Sequence, residues 1–253
     1  LKVLPMDEAV EALPRGTSPG LPFTRTHPGW KKKDVFDHYL PKFERYWSRV
    51  GQKKRVFDLP DCAAFARSHV ATPDVNKVRP VWAYPAQVIA EEARFAVPIL
   101  NALKKQEIGH QFAYGMEMLK GGMTWLHNKL QRTRRRDPGA KFLMLDFSSF
   151  DSTVPAWVIR DMFTIIMEMF PDLSVADKNR LKGVIDYFIN TPIQNMDGRR
   201  FQKYHGVPSG SMFTNIIDTM VNYVVTPMIL YKTTELESLF FNCFGDDSVV
   251  SMP

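Results

Sequence analysis

Two short apolar runs near the C-terminus, Leu239–Phe244 and Ser248–Met252, are separated only by Gly245-Asp246-Asp247. So little chain joins two strands only as an antiparallel hairpin, because a parallel pair needs a crossover of about a dozen residues. The turn therefore sets two adjacent carboxylates between strands that have to pack in a core. Like charges in a partly buried place disfavour joint ionisation. A divalent cation relieves that conflict, and Mg²⁺ takes a few carboxylate oxygens together with waters and phosphates. The plain alternative is a surface turn, so the rest of the chain has to decide.

A second carboxylate arrives in the same way. Lys141-Phe142-Leu143-Met144-Leu145-Asp146 reads as a buried strand that delivers a charge at its end, and Asp151 follows five residues later. If the two strand ends share a sheet, Asp146 and Asp246 clamp two metal ions about 3.5–4 Å apart. Asp151 then suits a hydrogen bond from a sugar hydroxyl; its plain alternative is a carboxylate favoured at a helix N-terminus.

Ser209-Gly210-Ser211 opens a helix expected over 212–231, with Phe213, Ile216, Ile217, Met220, Val221, Val224 and Met228 on one broad apolar face. Thr214, Asp218 and Asn222 align at four-residue intervals along another face. A solvated face would carry Lys and Glu; these small hydrogen-bonding groups suit a sugar or base. The loop before them offers backbone freedom and N–H groups at a helix start, a natural place for phosphate. Upstream, Lys77 and Arg79 project to one side of the extended segment 77–85, where Arg is able to grip a triphosphate bidentately.

The remaining pattern fills in the frame. Residues 1–60 read as loop-rich, with turn signals at Gly16–Gly20 and Pro28-Gly29 and basic clusters at 31–33 and 53–55. A helix is expected over 86–106, kinked or ended at Pro98, and another from Pro155 to Met169, stopped by Pro171. Residues 176–190 are helical, Asp197-Gly198 turns a hairpin, and 132–139 reads as a basic loop. The basic clusters are expected to be solvated, with RNA-backbone contact as the alternative.

The net charge of +6 and pI of about 9.2 permit a polyanionic partner without requiring one. Cys62 and Cys243 stand far apart without ligand-spaced neighbours, which excludes a zinc pattern and favours a reducing compartment. No apolar run reaches the roughly 18 residues that would span a bilayer, and the N-terminus lacks a signal-peptide layout. The first residue is not Met and a strand-like run stops at Pro253, so we expect a piece of a longer chain.

Taken in order, these elements resemble the motifs of viral RNA-dependent RNA polymerases. Lys77 and Arg79 are similar to motif F, Asp146 with Asp151 to motif A, Ser209-Gly210 with Thr214 to motif B, and Gly245-Asp246-Asp247 to motif C; Ser18-Pro19-Gly20 lies where motif G is expected. Gly206–Ser211, Thr214-Asn215, Asp218-Thr219, Thr17–Pro22 and Val81–Pro85 look most similar to the partitivirus and picobirnavirus enzymes of double-stranded RNA viruses. The resemblance implies an α+β right-hand polymerase fold with an antiparallel palm sheet. Residues 1–140 would be fingers, 141–170 and 206–253 palm, and 171–205 a fingers insertion. Motifs D and E and the thumb would be missing.

It also implies roles. Asp146, Asp246 and Asp247 would hold two Mg²⁺ ions, with Mn²⁺ a substitute. Lys77, Arg79, Asp151, Ser209, Gly210, Thr214, Asp218 and Asn222 would serve the nucleotide. Many positive-strand enzymes carry Asn where this chain has Asp218, so either Asp218 or Asn222 would partner Asp151. NTPs, RNA template and product duplex are the implied partners, with a viral capsid protein among the candidates. The implied setting is the host cytoplasm, within the virion or replication particle. The rivals are a reverse transcriptase, which shares the palm and paired aspartates, and a basic RNA-binding module in which Asp146 and Asp246 lie far apart.

Overall fold

The computed structural model describes residues 1–68, 72, 78–105 and 111–253. In chain order the elements are α1 (Met6–Glu11), α2 (Phe23–Thr26), α3 (Lys32–Gly51), β1 (Cys62–Ser68), β2 (Val78–Ala83) and α4 (Ala86–Lys105). Next come α5 (Gly122–Arg136), β3 (Lys141–Leu145), α6 (Phe150–Thr153), α7 (Ala156–Glu168) and α8 (Val175–Ile189). The chain finishes with β4 (Pro192–Gln194), β5 (Arg200–Gln202), α9 (Thr214–Thr234), β6 (Phe240–Phe244) and β7 (Asp247–Met252).

Contacts divide these elements into two units. The first holds Leu1–Pro98 and Val154–Thr214. Its sheet runs β2-β1-β4-β5, with β1 antiparallel to β2 and parallel to β4. Its core gathers Trp47, Tyr84, Phe95, Phe163, Phe188 and Phe213, all fully buried. The Trp47 indole N–H donates to the Gln87 carbonyl at 2.9 Å, which satisfies the ring's polar end inside that core. The stretch of α4 in this unit is apolar almost all round, so Glu91 and Glu92 are forced inside. Glu91 answers with a 2.7 Å ion pair to Arg94, whose other nitrogens reach Asp177 and the Leu4 carbonyl.

The second unit holds Ile99–Thr153 and Asn215–Pro253. Its sheet runs β3-β7-β6, antiparallel throughout. Phe241, Cys243, Val250 and Met252 form its core, with Phe112, Leu143, Leu145 and Tyr223 packed against it. The division groups 99–140 with β3 and puts 154–170 and 206–214 in the first unit.

Several expectations need correction. Residues 32–51 form a 20-residue helix and not a loop. Asp34 accepts from the Lys31 N–H at 2.8 Å at its start, Phe36, Phe43 and Trp47 face the core, and Pro41 sits on the exposed side. Arg132–Arg136 close α5 instead of forming a loop, and the turn begins only at Asp137. Cations suit the last turn of a helix, where the backbone dipole is negative. Pro98 does not end α4, which runs on to Lys105. Strand β3 is a sheet edge and not a buried strand, with Met144 81% exposed. On α9, Val224 and Met228 are exposed, although the pattern placed them on the buried face.

Candidate functional site

The second unit carries the carboxylates. The β3–β7 register pairs Leu145 with Ser248, so Asp146, one residue on, stands across from Asp247. The β6–β7 register pairs Phe244 with Asp247 and leaves Gly245 and Asp246 as the turn. Gly245 takes φ +61°, a left-handed conformation that other residues adopt at a cost. Asp246 is half-buried, while Asp146, Asp151 and Asp247 are exposed.

Their charges act on each other. Burial first, then Asp246 and then Asp146, raises the Asp247 carboxyl above its ordinary value. Asp218, 5% exposed on α9, is pushed up to about 8 by burial and then by Asp151 and Asp246. Its Oδ1 is buried without a hydrogen-bond partner. Five aspartates from β3, α6, α9 and the β6–β7 turn thus converge on one region of negative potential.

Among the described residues no three His, Cys, Asp or Glu side chains form a ready-made metal cage. That is compatible with Mg²⁺, which needs only one or two carboxylates when phosphate oxygens and waters complete its octahedron. Hard oxygen donors and a region of negative potential fit such a cation.

The turn is held by α9. Thr219 Oγ1 accepts from the Gly245 N–H at 2.8 Å and donates to the Asn215 carbonyl at 2.7 Å. Asn222, fully buried, donates through Nδ2 to the carbonyls of Gly245 at 3.0 Å and Asp247 at 3.2 Å. Thr226 donates to Asn222 Oδ1 at 2.7 Å, which fixes the amide's orientation. Tyr114 donates to Asn215 Oδ1 from the neighbouring segment. Sequence reasoning placed Asn222 beside Asp218 as a nucleotide residue. Its amide donates to the turn's carbonyls, and Asp151 raises the proton affinity of Asp218. Asn215 and Thr219 were given no role by the sequence, and Thr226 and Tyr114 were missed altogether. A polar residue every third or fourth position on an otherwise buried helix was the available signal.

The first unit holds the glycine-containing loop. Gly210 lies so close to β2 that a Cβ there would stand 2.1 Å from the Trp82 carbonyl oxygen. Thr214 Oγ1 donates to the carbonyls of Pro208 at 2.5 Å and Ser211 at 2.9 Å, closing the loop on itself. Beneath it, Glu92 accepts from the Ser211 hydroxyl at 2.7 Å and the Met212 N–H at 2.8 Å. Burial pushes Glu92 up to about 7, against the pull of those two donors and of Lys32. Ser209 is exposed at the loop's tip. The loop 17–20 is fitted to the same β2–α4 junction: Gly20 takes φ +69° against the Tyr84 carbonyl, and the Ala86 N–H donates to Pro19. The backbone of Arg79 lies in β2, paired with Arg67. Lys77 is outside the described residues.

Residues 2–253 match the family described as viral RNA-dependent RNA polymerase. The chain belongs to that family. It is 32% identical over 255 residues to the RNA-directed RNA polymerase of Cryptosporidium parvum virus 1, covering 99% of this chain and 46% of that protein. It is 25% identical over 234 residues to the RNA-directed RNA polymerase of Atkinsonella hypoxylon virus, covering 74% of this chain and 34% of that protein. The crystal structure of a human picobirnavirus RNA-dependent RNA polymerase superposes with a TM-score of 0.75 at 18% identity, over 100% of this chain and 46% of that one. The right-hand polymerase fold and the likeness to enzymes of double-stranded RNA viruses are thus borne out, and a reverse transcriptase is not favoured. The chain spans 46% of the length of the first of these relatives and 34% of the second. Among the described residues no helix is long and apolar enough to cross a membrane.

Proposed function

We propose that this chain carries the catalytic part of an enzyme that copies an RNA template from NTPs. The observation behind the reading is the strand register that sets Asp146 across from Asp247, with Asp246 at the adjoining turn. In the reaction a primer 3′-hydroxyl attacks the α-phosphate of an NTP, and the bond to pyrophosphate breaks. Asp146 and Asp246 would hold two Mg²⁺ ions, with Asp247 assisting. Bound there, Mg²⁺, or Mn²⁺ in its place, would activate the attacking hydroxyl and stabilise the leaving oxygen.

The chain's own part is positioning and charge neutralisation. Asp151, with Asp218 beside it, accepts a hydrogen bond from the ribose 2′-hydroxyl. Arg79 and Lys77 neutralise the triphosphate. Ser209 and Gly210 place template and nucleotide, and Thr214 keeps their loop closed. Asn222 serves the nucleotide indirectly, by fixing the turn that bears Asp246. RNA template and product duplex are the macromolecular partners, the setting is the host cytoplasm inside a virion or replication particle, and a capsid protein is a further partner there.

The test is Asp246→Ala in the whole polymerase. Synthesis is expected to fall by at least about a thousandfold, with RNA binding nearly intact. Activity within tenfold of the unaltered enzyme would remove the two-metal assignment.

A further inference from the structure

Helix α5 has a composition that its packing does not explain. Leu126, Leu130 and Thr133 are half-buried, and the Trp125 ring lies 6.2 Å from that of Phe240 on β6. The Trp125–Phe240 contact and this half-buried row mark the side of the helix turned from solvent. With 3.6 residues per turn, His127, Asn128, Gln131, Arg132, Arg134 and Arg135 occupy the other side, and all are exposed. Arg136 closes the helix and Lys141 follows at the start of β3, both exposed.

No Asp or Glu occurs anywhere in Gly122–Arg136. The nearest acid, Asp137, is engaged by the Gly139 N–H at 2.9 Å. Among the described residues none of Arg132, Arg134, Arg135 and Arg136 has a salt-bridge partner. Some surface arginines elsewhere, such as Arg199 and Arg200, pair with a carboxylate; others, such as Arg45 and Arg160, have no salt-bridge partner among the described residues, but none of those stands in a run of four like this one. An ordinary solvated helix alternates signs at four-residue spacing, which stabilises it and limits self-repulsion. Here four guanidinium groups crowd little more than one turn, with no acidic side chain in the helix to offset them. The helix dipole favours cations in the last turn, but lysine would serve that purpose equally well. The planar five-donor fork of arginine matches phosphate oxygens bidentately.

We propose that the arginine face of α5 is an accessory docking surface for the phosphodiester backbone of RNA, distinct from the carboxylate cluster. The assignment rests on the polymerase reading, which makes RNA the available polyanion. Recognition there is by charge and fork geometry, independent of sequence. The surface would lengthen the contact with RNA without taking part in chemistry.

The experiment replaces Arg132, Arg134, Arg135 and Arg136 together with Gln in the whole polymerase. Binding of a long single-stranded RNA and of its duplex is then titrated between about 50 and 200 mM salt. Each phosphate-contacting cation removed lowers the steepness of log K against log salt by about one. A drop of about 2–4 is therefore expected, with affinity at the lowest salt down at least about tenfold. A larger drop on duplex than on single strand identifies the form preferred. Replacing the same four residues with Lys keeps the charge and should keep the salt slope. NTP incorporation on a short, saturating primer–template should proceed at the unaltered rate. Should the fourfold Gln variant melt early, the single variants Arg134→Gln and Arg135→Gln carry the test, each expected to lower the slope by about one.

An unchanged slope in a folded variant overturns the proposal. So does an equal loss on replacing Lys53, Lys54 and Arg55, which would make the effect one of net charge. Loss of binding to anionic phospholipid vesicles with RNA binding intact would assign α5 to a membrane surface instead. Absence of incorporation in the unaltered enzyme would count against the polymerase reading alone, because the binding titrations do not depend on it.

Discussion

The turn at Gly245-Asp246 and the loop at Ser209-Gly210 are both short, both built on glycine, and both held by side chains buried in their own unit. The chemistry of the two grips is opposite. A neutral amide and a hydroxyl, Asn222 and Thr219, hold the turn. A carboxylate, Glu92, holds the loop. The difference follows from local charge. Around the turn, burial and neighbouring aspartates already raise the proton affinity of Asp218 and Asp247, so another anion would be repelled. The groups there that need partners are an N–H and two carbonyls, which a hydroxyl and an amide satisfy without adding charge. At the loop the groups to be satisfied are a hydroxyl and a backbone N–H, both donors, and Lys32 supplies some compensation for an anion. Each unit uses the polar group its own field tolerates.

Exchanging the charge state of the two grips tests the role of the local field most directly. Asn222→Asp would place a carboxylate against two carbonyl oxygens in a fully buried position. We expect a loss of about 3 kcal/mol or more at pH 8, measured by denaturant unfolding. A variant as stable as the parent would mean that the local field does not govern the grip.

Gly210→Ala should rank next, at about 2–3 kcal/mol, because a methyl group 2.1 Å from a backbone oxygen moves the loop or the strand. Thermal unfolding measures it. A null effect would mean that the loop is free to slide on β2.

Glu92→Gln sharpens the comparison through pH. Burial raises the Glu92 carboxyl from 4.5 to about 7, so its protonated form is favoured by folding. The stability associated with it is complete below about pH 4.5 and is lost as pH rises through 7, up to roughly 3 kcal/mol for the full shift. Glutamine has no proton to lose. Unfolding measured from pH 5 to 8 should therefore show the parent losing stability relative to Glu92→Gln. Parallel curves would place the carboxylate in a less buried setting than the structure gives it.

Gly245→Ala is expected to be the mildest, at about 1–2 kcal/mol from the left-handed φ, plus a tight contact with the Asn215 amide. Its catalytic cost should exceed its stability cost, because the residue that shifts bears Asp246. Steady-state kinetics with NTP varied would show kcat reduced and KM nearly unchanged; equal changes in both would favour a binding defect.

Legibility followed the range of the interaction. The β6–β7 hairpin, helices α4, α7 and α8, and the hairpin at Asp197-Gly198 were readable because periodicity and turn residues lie within a few positions of one another. Strand β1 was not seen. Its seven residues alternate poorly, and their partners are β2 and a β4 strand more than a hundred residues away. Helix α3 was hidden by Pro41, harmless on the exposed face, and by a lysine run at its start, of which Lys31 and Lys33 are exposed. The convergence of Asp146 with Asp246 and Asp247 was legible, since apolar strands ending in acids have few other uses. The clamp was not, because Thr219 and Asn222 answer backbone groups of a distant turn, and a sequence shows side chains but not the carbonyls they must satisfy.

The grip on Gly245 from both its N–H and its C=O has a consequence for what the chain tolerates as it diverges. A turn anchored at both ends to one helix has no slack for an extra residue. One insertion between Phe244 and Asp247 would slip β7 by a single position, and in a strand that turns every later side chain to the opposite face. Val250 and Met252 would leave the core and Asp247 would face away from Asp146. Length is thus under the same constraint as chemistry here, and substitutions in the turn should be survivable far more often than insertions or deletions.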